Sequence, residues 1–271
     1  MIKKCLDLLE NNPVIIGFYV IYELLVMLIL LLLYPTNLNQ FMNSVSFDFA
    51  AYFMMMMKLL TAIGLMFLLS ILFMSGFGHM ISEAVVQGKT SAQAFIEGIN
   101  RFFVRFLLLT LLGTAVTFAF SMIITIILIP ITMLQVMSGG TSGLEYMSLF
   151  IVLLILIITI FIIPFVLLCI PSILLDDVKL FQGIKNGAKA GVKNYWKLVV
   201  LLIIMYLPVI LYEIIYYDTI SKGMIVTPSY LVLLIISGII SLFLIPILFI
   251  VYNEYRMEQI NKDTMSHHFN E

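Results

Sequence analysis

Residues 14–34 read VIIGFYVIYELLVMLILLLLY, an apolar run of 21 residues interrupted by one carboxylate, Glu23. As a helix rising about 1.5 Å per residue, the run covers roughly 31 Å, the thickness of a bilayer's hydrocarbon core. It is longer than the apolar core of a signal peptide. The Tyr34-Pro35-Thr36-Asn37 sequence behind it lacks the small residues of a cleavage site. A retained first membrane span is expected, preceded by Lys3 and Lys4.

The remainder of the chain has the same character. Of its 271 residues 63% are hydrophobic and only 11% charged, with a mean hydropathy of +1.16. A water-soluble fold of this size could not hide that much apolar surface, so lipid is the expected solvent. Five more apolar runs follow: Phe49 to His79 (broken only by Lys58), Leu107–Met133, Ser148–Leu175, Leu198–Tyr217 and Tyr230–Tyr252. Only helices and closed β-barrels satisfy every backbone group in lipid, and barrel strands alternate in short segments where these runs are continuous. The expectation is an all-α polytopic membrane protein with six transmembrane helices in one membrane domain, ending in a polar tail over 253–271.

Orientation follows from the lysines and arginines. With six spans, Lys3 and Lys4, Lys89, Arg101 and Arg105, the five lysines Lys179, Lys185, Lys189, Lys193 and Lys197, and finally Arg256 and Lys262 all fall on one side. Of the 14 basic residues only Lys222 falls opposite, and Lys58 lies in or beside a span. Both termini are therefore expected to be cytoplasmic, in the cytoplasmic membrane of a prokaryote. A net charge of −1 supplies no general attraction for nucleic acid, which is not expected as a partner.

An amphipathic stretch precedes each outward span: CLDLLENNPVIIGF (5–18), AQAFIEGINRFFVRFLLL (92–109) and NGAKAGVKNYWKLVVLL (186–202). In the second, Phe95, Ile99, Phe102, Phe103 and Phe106 share one helical face, and Thr90 with Gln93 fits a capping box. Around the third, Val178, Phe181, Ile184, Ala188, Val192 and Tyr195 form the apolar face, with Asp177 as the expected N-cap. Each stretch reads as an interfacial elbow helix that turns into the next span. The chain then divides into three hairpins, each led by an elbow. These are candidate parallel repeats over 1–88, 89–176 and 177–260, in which Gly98 aligns with Gly191 and Phe102 with Tyr195. Low-complexity apolar sequence aligning with itself is the competing explanation. Pro130, Pro164, Pro208 and Pro246 lie within spans three to six, where each removes a backbone donor and can kink its helix.

Few residues could carry chemistry. Glu23, near mid-span, costs about 3 kcal/mol to keep charged in lipid, which marks it as a proton or cation site or half of an ion pair. If the second span starts near Phe49, Lys58 lies at the same depth and is its natural partner. If that span starts at Leu59, Lys58 snorkels to the outer surface instead. Lys185, Lys189, Lys193 and Lys197 recur every fourth residue above Gly187, Ala188, Ala190 and Gly191, with Trp196 beside them. This stripe suits anionic lipid headgroups or a cytoplasmic protein partner. Glu213 among Tyr212, Tyr216 and Tyr217 reads as part of an outer aromatic belt. The consecutive Met54–Met57 side chains diverge around a helix and do not make a copper site. Cys5 and Cys169 are expected to be unpaired, and no zinc spacing, nucleophile elbow or phosphate-binding loop is present. No metal, cofactor or catalytic residue is expected.

Residues 162–208, IIPFVLLCIPSILLDDVKLFQGIKNGAKAGVKNYWKLVVLLIIMYLP, combine a proline-closed span (Pro171), an acidic pair, a basic elbow and the aromatic pair Tyr195-Trp196. With NNPVIIGF (11–18) and GHMISEAVVQGKTSAQAFIEGINRFF (78–103), they resemble the membrane domain that precedes the catalytic barrel in some bacterial glycerophosphodiester phosphodiesterases, and related stand-alone multi-pass proteins. The resemblance implies the membrane architecture and not the hydrolase activity, because in those enzymes the catalytic residues lie in a soluble barrel. The expected function is that of a non-catalytic accessory or scaffold protein working through its basic elbows. The alternative is a small transporter or permease subunit using the proline-kinked spans and Glu23.

Overall fold

The computed structural model describes residues 1–33, 49–137, 162–215 and 228–268. Their elements are α1 (Ile2–Asn11), α2 (Pro13–Leu33), α3 (Phe49–Gln87), α4 (Ala92–Met137), α5 (Cys169–Leu175), α6 (Leu180–Lys193), α7 (Tyr195–Ile215) and α8 (Pro228–His268), with no strand among the described residues. By length and composition α2, α3, α4, α7 and α8 can each cross a membrane. The chain is a multi-pass helical membrane protein. Of the expected fourth span, residues 162–175 form a shorter apolar helix, and 148–161 lie outside the described residues.

The helix boundaries have local causes. Asn12 separates α1 from α2, and Pro13 fits the first position of α2, where a missing N–H costs nothing. The Asn12 side chain, 3% exposed, donates to the carbonyls of Leu8 (2.9 Å) and Gly88 (3.2 Å) and accepts the Thr90 N–H (2.8 Å). One asparagine thus ties the α1–α2 joint to the α3–α4 turn. Gly88 ends α3 at φ 80°, a conformation that side chains rarely adopt. The expected capping box does not form: the Thr90 hydroxyl donates to Glu83 (2.7 Å), Gln93 donates to Glu97, and the Ala94 N–H reaches the Ser91 carbonyl. A carboxylate from the end of α3 takes the Thr90 hydroxyl, and one a turn further along α4 takes the Gln93 amide, in place of the backbone.

The second elbow is not a separate helix. Residues 92–137 are one uninterrupted α4, and its first turns pack along α3. A Cβ on Gly98 would lie 2.7 Å from the Ser75 carbonyl oxygen and 3.0 Å from the Gly76 Cα, so the two backbones touch. The first and third of these stretches do start as distinct helices, α1 and α6, broken from the following one at Asn12 and Asn194.

Most buried residues gather where α1, both described turns and the second half of α8 meet. Phe77, Met80, Phe102, Ile173, Leu198, Ile247, Phe249 and Tyr252 are all within 2% of full burial. The helix α8 packs against α1, α3, α5 and α7, and its residues from Leu244 to Tyr252 belong to this core. Away from it the side chains open outward. On α4 the run from Leu111 to Ile123 is exposed throughout, an apolar surface suited to lipid.

Candidate functional site

The third elbow is built on small residues. Gly183, Gly187 and Gly191 recur every four residues and face the 162–175 helix, where added side chains would collide with it. A Cβ on Gly187 would sit 2.6 Å from the Cys169 Cα, one on Gly191 2.6 Å from the Pro164 carbonyl oxygen, and one on Gly183 would strike Ile173. The helices therefore meet backbone to backbone, and the larger side chains of α6 point the other way. Phe181 is 75% exposed and Val192 62%, with Lys185 and Lys189 also exposed. At about 100° per residue these four fall within an arc of about 80°. Trp196 continues the surface at the start of α7, 75% exposed, with Tyr195 edge-on at 5.4 Å.

The lysine stripe divides. Lys193 pairs with Glu258 and lies 5.4 Å over the Tyr255 ring, and Lys197 pairs with Glu254 at 3.1 Å. Glu254 also takes Lys4 at 2.7 Å, drawing α1 onto α8. Lys185 and Lys189 make no ion pair among the described residues. The four lysines expected to act together are thus two that clamp α8 and two that remain on the surface.

The turn before α6 holds the acidic pair. Asp176 accepts Tyr252 (2.5 Å), Asn186 (3.3 Å) and Arg256 (3.2 Å), and the Tyr252 hydroxyl is also 3.0 Å from Ser172. Asp177 accepts Arg105 at 2.8 Å and Arg101, both from α4. The expected N-cap role of Asp177 is not realised: Lys179 is the N-cap residue, with no side-chain hydrogen bond. Asp177 adopts φ 49° with its carboxylate turned to the two guanidiniums. Desolvation pushes that carboxyl up, but the hydrogen bonds and charge of Arg101 and Arg105 outweigh it and hold the group below the usual aspartate value. Between Asp176, Asn186, Lys189, Tyr255 and Arg256 lies a polar hollow of about 360 Å³.

Glu23 and Lys58 do not pair. Tyr22 stacks on Phe73 at 4.0 Å, and its hydroxyl is 3.3 Å from that of Ser70, which sets the α2–α3 register. Glu23 is therefore level with residues near Ser70, and Lys58 lies about 18 Å further along α3 at 1.5 Å per residue. There Lys58 is exposed beyond the span's centre, and Glu23 instead accepts the Tyr19 hydroxyl at 2.6 Å. The second elbow's expected face is packed inward against α3. Phe102 and Phe106 are buried and Phe95, Ile99 and Phe103 half-buried, with Phe95 stacked on Phe18 at 4.5 Å. The side chain of Glu213 lies outside the described residues. Both cysteines are unpaired and buried; desolvation pushes the Cys5 thiol up to about 11.

No family model, no curated protein and no solved structure matches the chain. What the sequence left unassigned is the aspartate pair as the joint between α4, α6 and α8. The available signal was two adjacent acids directly after a proline-closed helix, in a chain where acids are scarce.

Proposed function

We propose that this is a non-catalytic accessory or scaffold protein of a prokaryotic cytoplasmic membrane, which engages anionic lipid headgroups through the outward face of α6. The observation that carries the reading is the pairing on that face of exposed Phe181, Val192 and Trp196 with unpaired Lys185 and Lys189. An interfacial helix needs apolar side chains that enter the acyl boundary and basic ones that reach phosphates beside them. Each lysine near an anionic surface contributes about 1 kcal/mol, so the two together give roughly a thirtyfold preference for anionic lipid. In this reading six spans form three out-and-back pairs with both termini inside, and the Asp176–Asp177 joint and Glu254 fix α6 against the bundle. The resemblance to phosphodiesterase membrane domains agrees with a membrane module that carries no hydrolase chemistry of its own.

Lipid retention tests it. The full chain is purified in mild detergent from membranes containing phosphatidylglycerol and phosphatidylethanolamine, and bound lipids are identified by mass spectrometry. Enrichment of phosphatidylglycerol that falls severalfold in the Lys185→Gln/Lys189→Gln variant supports the reading. Equal retention of both lipids, or enrichment that the variant leaves unchanged, overturns it.

A further inference from the structure

A second site lies in the membrane-spanning region, away from α6. We propose that the cleft between α2 and α8 binds a hydrophobic monocation, an amine or quaternary ammonium head carried on an apolar body, with Glu23 as its counter-ion.

Glu23 is the eleventh residue of the 21 in α2, about 15 Å from either end of the helix. Its one protein donor among the described residues is Tyr19, itself 4% exposed, and no lysine, arginine or histidine there lies within ion-pairing distance. A charge at this depth costs about 3 kcal/mol and calls for a charged partner, which none of the described residues provides. Across the cleft, α8 presents Gly238: a Cβ there would come within 3.3 Å of the Glu23 carboxyl carbon. The missing side chain lets the carboxyl group lie close against α8, where both form part of the wall of a cleft.

That space has a volume of about 370 Å³, within the range of small-molecule pockets. Apart from Glu23 and Tyr19 its walls are apolar, with Val20 and Met27 from α2 and Leu234, Ile235 and Leu242 from α8. Val20 and Ile235 are about half exposed on the outer surface of the helices, so the cleft opens sideways toward lipid. A ligand with an apolar body can enter from the bilayer, and a small cationic head can sit against the carboxylate where it borders the cleft. An anion is repelled by Glu23, and a neutral lipid leaves the carboxylate uncompensated. The proposal does not depend on the role of α6.

The test uses the full chain in nanodiscs of zwitterionic lipid, with radiolabelled decyltrimethylammonium as probe and decanesulfonate as its opposite-charge control. Binding to empty nanodiscs is subtracted. The expected result is saturable binding of the ammonium, one per chain, and none of the sulfonate. Glu23→Gln weakens ammonium binding about thirtyfold or more, the cost of removing one member of a desolvated charge pair. Gly238→Leu, which fills the cleft and crowds the carboxylate without removing it, abolishes it with the helical circular dichroism retained. Absence of saturable ammonium binding by the wild-type chain, equal binding of the sulfonate, or wild-type affinity in either variant overturns the proposal. The probe comparison on the wild-type chain needs no variant to fold.

Discussion

Asp177 has a backbone angle, φ 49°, that few side chains tolerate, and its carboxylate faces two arginines from another helix. Aspartate is among the residues least penalised there, and Arg101 and Arg105 stabilise its charged form. Because the folded carboxyl titrates below its unfolded value, its contribution to stability is full above the unfolded value near 3.9 and is lost as pH falls through the folded one. The group is 40% exposed, so solvent screening limits that contribution to about 1 kcal/mol. Thermal unfolding in detergent across the acid range should show a decline below about pH 4 that is shallower in Asp177→Asn. Identical pH profiles would mean that the two arginines do not act through this carboxylate. At this scale the sequence is a partial guide. That Glu23 is intramembrane follows from its position in one run, whereas its separation from Lys58 depends on how Tyr22, Ser70 and Phe73 set the register between two helices. Nothing in either run alone encodes that register.

The two basic elbows show why an element's apolar face does not fix what it faces. Phe95, Ile99, Phe102, Phe103 and Phe106 turn toward α3, because Gly98 against Gly76 brings that face onto a neighbour. On α6 the glycines lie on the opposite face from Phe181 and Val192, so the same backbone contact turns the apolar side chains outward. Apolar periodicity was legible in both stretches; which face the glycines would claim was not, since a glycine scores as neither apolar nor polar. Filling the α6 contact should be costly. Gly187→Leu pushes a side chain into the Cys169 backbone and should destabilise the chain by at least about 1–3 kcal/mol, read as a lowered melting temperature in detergent. Gly113→Ala on α4, where nothing lies within 4 Å of the added atom, should leave the melting temperature unchanged or raised. Equal responses at the two positions would contradict the close α5–α6 packing.

At the scale of the whole molecule, the core sits at one end of the bundle and that end also holds the described ion pairs. The Glu254 pairs with Lys4 and Lys197 are partly exposed and contribute at most about 1 kcal/mol each. Their effect is mainly to fix α1, α7 and α8 relative to one another. The helical membrane class was legible at once, because lipid leaves so few ways to satisfy a backbone and each crossing must be apolar for its full length. The division of the basic residues into clamps and free surface was not, since it depends on Glu254 and Glu258 arriving from the far end of the chain. Trp196 is the sole tryptophan, so its fluorescence reports directly on the surface assigned to lipid. The full chain is reconstituted in nanodiscs whose phosphatidylglycerol or phosphatidylcholine is brominated either high on the acyl chain or near its terminal methyl. The expected result is strong quenching by the shallow bromines, greater for phosphatidylglycerol than for phosphatidylcholine, with that difference lost in Lys185→Gln/Lys189→Gln. Absence of quenching, stronger quenching by the deep bromines, or equal quenching by the two wild-type lipids would contradict an anionic-lipid interface on α6.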